Sequence, residues 1–134
     1  MSTIFDSFER KHDFLICVDS DGCAMDTMDI KHFRCFGPCM IEVWGLHAHE
    51  QGLLARWNEI NLYTMTRGIN RFKGLAIALK EAEETYDDVQ IDDLETFLRW
   101  TETTKELSNR AIEEVLAQKE SKSLRMALEW SERV

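Results

Sequence analysis

Phe14-Leu-Ile-Cys-Val-Asp-Ser-Asp-Gly22 is the stretch on which the reading of the whole chain turns. Apolar residues run without interruption from Phe14 to Val18 and stop at two carboxylates and a glycine, the pattern of a buried strand that delivers polar side chains at its C-terminal end. The two-residue period of a strand then places Asp19 and Asp21 on one side, facing the crevice beyond the strand end. No second run of this kind follows. Gly37-Pro38 reads as a turn, after which Met40 to Leu46 and then Leu53, Leu54, Trp57 and Ile60 recur at helical spacing, predicting a helix from about His49 to Met65 that Gly68 ends. Asn70 caps a helix with Phe72, Leu75, Ala76 and Leu79 on one face. Asp92 with Glu95 forms a capping-box start for a helix carrying Leu94, Phe97 and Leu98. Ser108 caps a last helical stretch whose stripe continues from Ala111 through Leu128 toward Val134. The expectation is a mainly α chain: one strand near the start, then helices.

Composition supports this and excludes several classes. The chain has 134 residues, 44% of them hydrophobic, with four Trp and seven Phe, enough for the core of one domain. One Pro and six Gly favour long helices over a many-turned β-sandwich. With 16 Lys+Arg against 25 Asp+Glu the net charge is −9, which disfavours nucleic acid as a partner, because phosphate neutralisation needs a clustered basic surface. No apolar run approaches the length of a bilayer span, so no membrane contact is expected. Asp6 and Glu9 interrupt the N-terminus before any apolar leader core, so a cytoplasmic location is expected and Cys17, Cys23, Cys35 and Cys39 are read as free thiols.

Two carboxylates as close as Asp19 and Asp21 are not both comfortable as free anions, and repulsion raises one pKa unless a cation sits between them. A hard cation such as Mg²⁺ selects carboxylate and carbonyl oxygens and resolves the conflict for Asp19, leaving Asp21 to keep or shuttle a proton. That division suits phosphoryl transfer, in which one carboxylate attacks phosphorus and the other protonates the leaving oxygen.

Leu15-Ile-Cys-Val-Asp-Ser-Asp-Gly-Cys-Ala-Met-Asp-Thr27 resembles the first motif of the haloacid dehalogenase-like (HAD-like) hydrolase superfamily. The likeness is to members with a helical cap inserted after that motif. The resemblance implies that Asp19 is the nucleophile and a Mg²⁺ ligand, and that Asp21 is the general acid/base and a second metal ligand through its backbone carbonyl. Asp26 and Thr27 then fall in the flap leading to the cap. Arg67-Gly-Ile-Asn-Arg71 is similar to a Gly-x-Ser-Arg segment on the cap of β-phosphoglucomutase and phosphoglycolate phosphatase-like members, which makes Arg67 and Arg71 candidates for binding a substrate anion. Asn70 stands where that segment has serine. The implied architecture is the N-terminal piece of an incomplete α/β, Rossmann-like core in residues 1–36 and a helical cap in residues 37–134.

The family also uses a second-strand Ser/Thr, a Lys and a later acidic pair, each at the end of a further core strand. No such strands follow here. Asp87-Asp88 and Asp92-Asp93 lack a preceding apolar strand and read as solvated surface within the acidic run from Glu81 to Glu95. The expected function is Mg²⁺-dependent phosphoryl hydrolysis or transfer on a small phosphorylated metabolite. This chain is then the N-terminal part of the enzyme, inactive alone and completed by a missing C-terminal core half or by self-association. The alternative is a non-catalytic helical interaction module. For Arg67 and Arg71 a surface salt bridge to the acidic run competes with anion binding. Cys35 and Cys39 with Cys23, His32, His47 and His49 raise zinc, against which buried thiols and exposed histidines are the default.

Overall fold

A computed structural model describes residues 9–134. Readings that rest on residues 1–8, including the first part of the N-terminal segment judged not to be a leader, lie outside the described residues.

The chain is mainly α-helical. Helix α1 (Met28–Lys31) passes without a break through a π-helical turn (His32–Phe36) into α2 (Gly37–Trp44). A short 3-10 turn leads to α3 (Glu50–Asn58), which ends in a second π-helical turn (Glu59–Tyr63). Then come α4 (Arg71–Thr85), α5 (Leu94–Thr103), α6 (Asn109–Leu116) and α7 (Lys122–Arg133). Among the described residues there is no β-strand, only one isolated bridge between Asp21 and Met25.

The predicted buried strand is thus corrected. Phe14, Leu15 and Ile16 are 88%, 87% and 84% exposed, without regular structure. The physical reason is that a strand satisfies its main-chain groups only through a neighbour, and no other extended run among the described residues supplies one.

Gly37-Pro38 is also not a turn. Proline is tolerated in the first turn of a helix, and here it sits there, at the start of α2, just after the π turn. Gly37 is buried because helices approach closely at this point: a Cβ there would lie 2.9 Å from Leu54 Cδ2, 3.1 Å from Trp57 Cδ1 and 3.2 Å from the His32 carbonyl oxygen. The helical run from Met28 to Trp44 therefore crosses residues 36 and 37, where the sequence suggested a boundary.

The caps at Asn70 and Ser108 form as expected, accepting the backbone N–H of Phe72 at 2.9 Å and of Ala111 at 3.2 Å. Helix α5 starts differently. Asp93 stands before it with φ of +61°, its carboxylate taken by Ser121 and Thr96 rather than by a backbone cap. The last stretch breaks in two because Ser121 caps α7 through the N–H of Leu124.

The core is aromatic at its centre. Trp57, Phe72, Phe97 and Trp130 are fully buried. Trp130 meets Phe36, Trp57 and Phe72 edge-on, with ring centroids 5.6, 5.9 and 6.2 Å apart, the geometry that ring quadrupoles favour. Its indole N–H donates to the Phe36 carbonyl at 3.0 Å, tying α7 to the first π turn. The acidic run proves to be more than solvated surface. Glu81 pairs with Arg56 at 2.6 Å, Asp88 with His49 at 2.8 Å and Asp92 with Lys122, while Val89 and Ile91 are buried among the helices.

Candidate active site

Asp19 and Asp21 share one tight turn, closed by backbone hydrogen bonds. Gly22 N–H donates to Met25 O at 2.8 Å, Met25 N–H to Ser20 O at 2.8 Å and Ala24 N–H to Asp19 O at 3.1 Å. Gly22 holds a φ of +69°, which a side chain rarely adopts, so this position requires glycine. The turn packs on the start of α1: a Cβ at Gly22 would come within 2.8 Å of Met28 Cγ.

The two carboxylates have different environments. Asp19 is exposed, and its Oδ1 accepts the N–H of Ser20 at 2.8 Å. Asp21 Oδ1 accepts the Thr27 hydroxyl and Oδ2 the Lys31 ammonium, each at 2.7 Å. The Lys31 bond first, and the Thr27 bond after it, hold the Asp21 carboxyl below its ordinary range. The cation beside Asp21 is thus Lys31, whose ammonium favours the ionised form of the carboxyl.

Mg²⁺ was expected at Asp19 and Asp21. Their oxygens are of the right kind, yet among the described residues no group of three or more His, Cys, Asp or Glu side chains is placed to hold a metal. The same finding bears on zinc: Cys17, Cys23 and Cys35 are exposed and Cys39 half-buried, all as free thiols. His32 is buried instead, 5% exposed, against the default of exposed histidines.

Arg67 is exposed in the loop before α4. Arg71, the first residue of α4, is half-buried and bonded to neutral groups only: Nε donates to Ser131 Oγ and one terminal nitrogen to Asn109 Oδ1, both at 3.0 Å. Its guanidinium carbon lies 4.7 Å from the Phe72 ring centroid. Burial lowers its pKa. Arg71 thus joins α4, α6 and α7, and a surface salt bridge to the acidic run is not what it makes. No hydrogen bond or ion pair among the described residues connects Asp19 or Asp21 with Arg67 or Arg71. The open grooves beside α4, one lined by Gly52, Arg56 and Tyr86 and one by Lys73, Ile77 and Leu98, include none of the four.

Sequence reading missed Lys31, and considered His32 only as a zinc ligand or an exposed histidine. The Lys31 signal was present, since a basic residue four after Thr27 shares its face of a helix, but only if a helix starts at residue 28. No helix of the described residues is long and apolar enough to cross a membrane. No protein family, curated protein or solved structure matches the chain.

Proposed function

We propose that this chain carries the nucleophile-bearing turn and helical cap of a HAD-like phosphohydrolase or phosphotransferase, acting in the cytoplasm on a small phosphorylated metabolite. One observation carries the reading. Asp19 and Asp21 occupy a single backbone-bonded turn between an exposed apolar run and the first helix of a closed helical bundle. An acid left exposed and an acid held by donors have unlike surroundings, which is how two neighbouring carboxylates come to have different roles. In this reading Asp19, the one left open, attacks phosphorus, and Asp21, taking a proton from solvent once the Lys31 ammonium has moved away, hands it to the leaving oxygen. Phe14 to Val18 becomes a central strand of an α/β, Rossmann-like sheet when further strands pair with it, from the rest of a longer polypeptide or from a second copy. Mg²⁺ belongs to the proposal together with ligands outside the described residues. Arg71, and Arg67 near it, remain the cap residues for a substrate anion; Arg71 would exchange a neutral acceptor for a charged one.

The rival reading, a non-catalytic helical interaction module, is favoured by the closed aromatic core, which the helices complete without residues 9–27. Hydrolysis of phosphate esters by the complete gene product, compared with Asp19→Asn and Arg71→Ala, separates the two. The enzyme reading expects Asp19→Asn to abolish turnover and Arg71→Ala mainly to raise KM. Turnover that survives Asp19→Asn overturns it. The chain of residues 1–134 alone should turn over little or nothing, because electrostatic stabilisation of the transferred group is incomplete.

A further inference from the structure

The cradle around Asp21 has a construction of its own. Thr27 and Lys31 stand one helical turn apart, and the Lys31 backbone N–H donates to the Thr27 carbonyl at 3.1 Å, so the two donors to Asp21 are fixed to each other. The next residue, His32, is buried against Phe36 and Trp57, with ring centroids 5.0 and 5.8 Å away, which anchors this end of α1 in the bundle. The Lys31 side chain is 31% exposed and that of Asp21 49%, so the pair sits at the surface, in contact with solvent.

We propose that Lys31 is a positioning residue for the reaction, resting on the phosphoryl-transfer reading of Asp19 and Asp21. It holds Asp21 against α1 until a phosphoryl group draws its ammonium away, so that arrival of the substrate and release of Asp21 are one event. Three considerations support this. The Lys31 ammonium lies on Asp21 Oδ2 at 2.7 Å, so a leaving group approaching that oxygen from the same side competes with it until it moves. A solvent-exposed ion pair is weak and exchanges readily. A phosphate carries nearly two negative charges on three acceptor oxygens and outcompetes a single carboxylate for an ammonium on a flexible four-carbon stem. Thr27 keeps its bond throughout, so Asp21 stays oriented while its counter-charge is removed. No covalent bond changes in this exchange, and the ammonium keeps its protons.

The test follows the Lys31 Nζ resonance by NMR in the ¹⁵N-lysine-labelled chain as inorganic phosphate is added at constant ionic strength. A saturable shift of that resonance, accompanied by shifts of the Gly22 and Met25 amides, is expected. Lys31→Met should abolish the amide response and Lys31→Arg restore it. In the complete gene product Lys31→Met should raise KM for a phosphate ester about fivefold, with a smaller change in kcat. A Lys31 resonance indifferent to phosphate, or amide shifts that persist in Lys31→Met, overturns the proposal. The two levels fail separately. Normal KM and kcat in Lys31→Met beside a dead Asp19→Asn refutes the role of Lys31 and leaves the phosphoryl-transfer reading standing. A Lys31 signal that follows phosphate in a protein without Asp19-dependent turnover refutes that reading, and with it Lys31 as part of a reaction.

Discussion

Two tryptophans provide a controlled test of the bundle on which the site is mounted. Trp57 and Trp130 are both 0% exposed and in contact with each other, but the Trp130 indole N–H donates to the Phe36 carbonyl while that of Trp57 is buried with no partner among the described residues. Replacing either by phenylalanine removes the same atoms from equally buried positions. The shared packing loss is about 2 kcal/mol, taking about 0.8 kcal/mol for each buried carbon-sized group. Trp130→Phe adds the lost hydrogen bond, about 1 kcal/mol, for a total of about 3 kcal/mol. Trp57→Phe instead relieves an unsatisfied donor, which returns about 1 kcal/mol or more and leaves a net loss near 1 kcal/mol. Urea unfolding followed by far-UV circular dichroism measures both. With a slope of about 2 kcal/mol per molar, the two midpoints should separate by about 1 M, Trp130→Phe being the lower. Equal midpoints, or a lower one for Trp57→Phe, would show that the Trp57 indole has a partner, such as an internal water, and would refute the assignment of the Phe36 bond as the distinguishing contact.

Three further outcomes are expected. Burial, with a smaller effect of the Lys31 ammonium, holds the His32 pKa down to about 4, below its ordinary value of 6.5. The unfolded chain therefore takes up the proton first, and stability present above about pH 6.5 is lost as pH falls toward 4. Unfolding free energies from urea titrations at pH 7 and pH 5 should differ by about 2 kcal/mol from this group, and His32→Gln should remove that part of the dependence; an unchanged pH dependence in His32→Gln would place the titrating group elsewhere. Gly37→Val should cost about 2 kcal/mol or more despite valine's better helix propensity, because the added carbons meet Trp57 and the His32 carbonyl, and a neutral effect on thermal unfolding would mean the helices part without penalty. The chain should associate at micromolar concentration through exposed Phe14, Leu15, Ile16 and Val18, so light scattering that reports a monomer, with residues 14–18 protected from hydrogen exchange, would show that the helices cover the run.

What the sequence determined by itself is mostly local. Asn70 and Ser108 cap their helices because a side-chain oxygen beside a helix start satisfies an N–H only a few residues away, and that information is carried by the neighbours. The apolar stripes of α4, α6 and α7, and the place of Trp57 in its helical pattern, were legible for the same reason: period and hydrophobicity are properties of the chain.

Tertiary structure decided everything that depends on a distant partner. Phe14 to Val18 has the composition of a buried strand, but a strand exists only with a neighbour to bond, and among the described residues none is present. Gly37-Pro38 has the composition of a turn, yet the approach of Leu54 and Trp57 makes a small residue in a helix the better solution there. Arg71 read as a cap residue for a substrate anion or as half of a surface salt bridge, and it is bonded across to Asn109 and Ser131, which lie 38 and 60 residues further along the chain. The partner of Asp21 was not legible because the Lys31 ammonium reaches it only once residues 28 to 31 are helical and the turn is folded back on them. Short-range chemistry is written in order along the chain; the partner that settles a charge, a strand or a close packing contact is chosen by the fold.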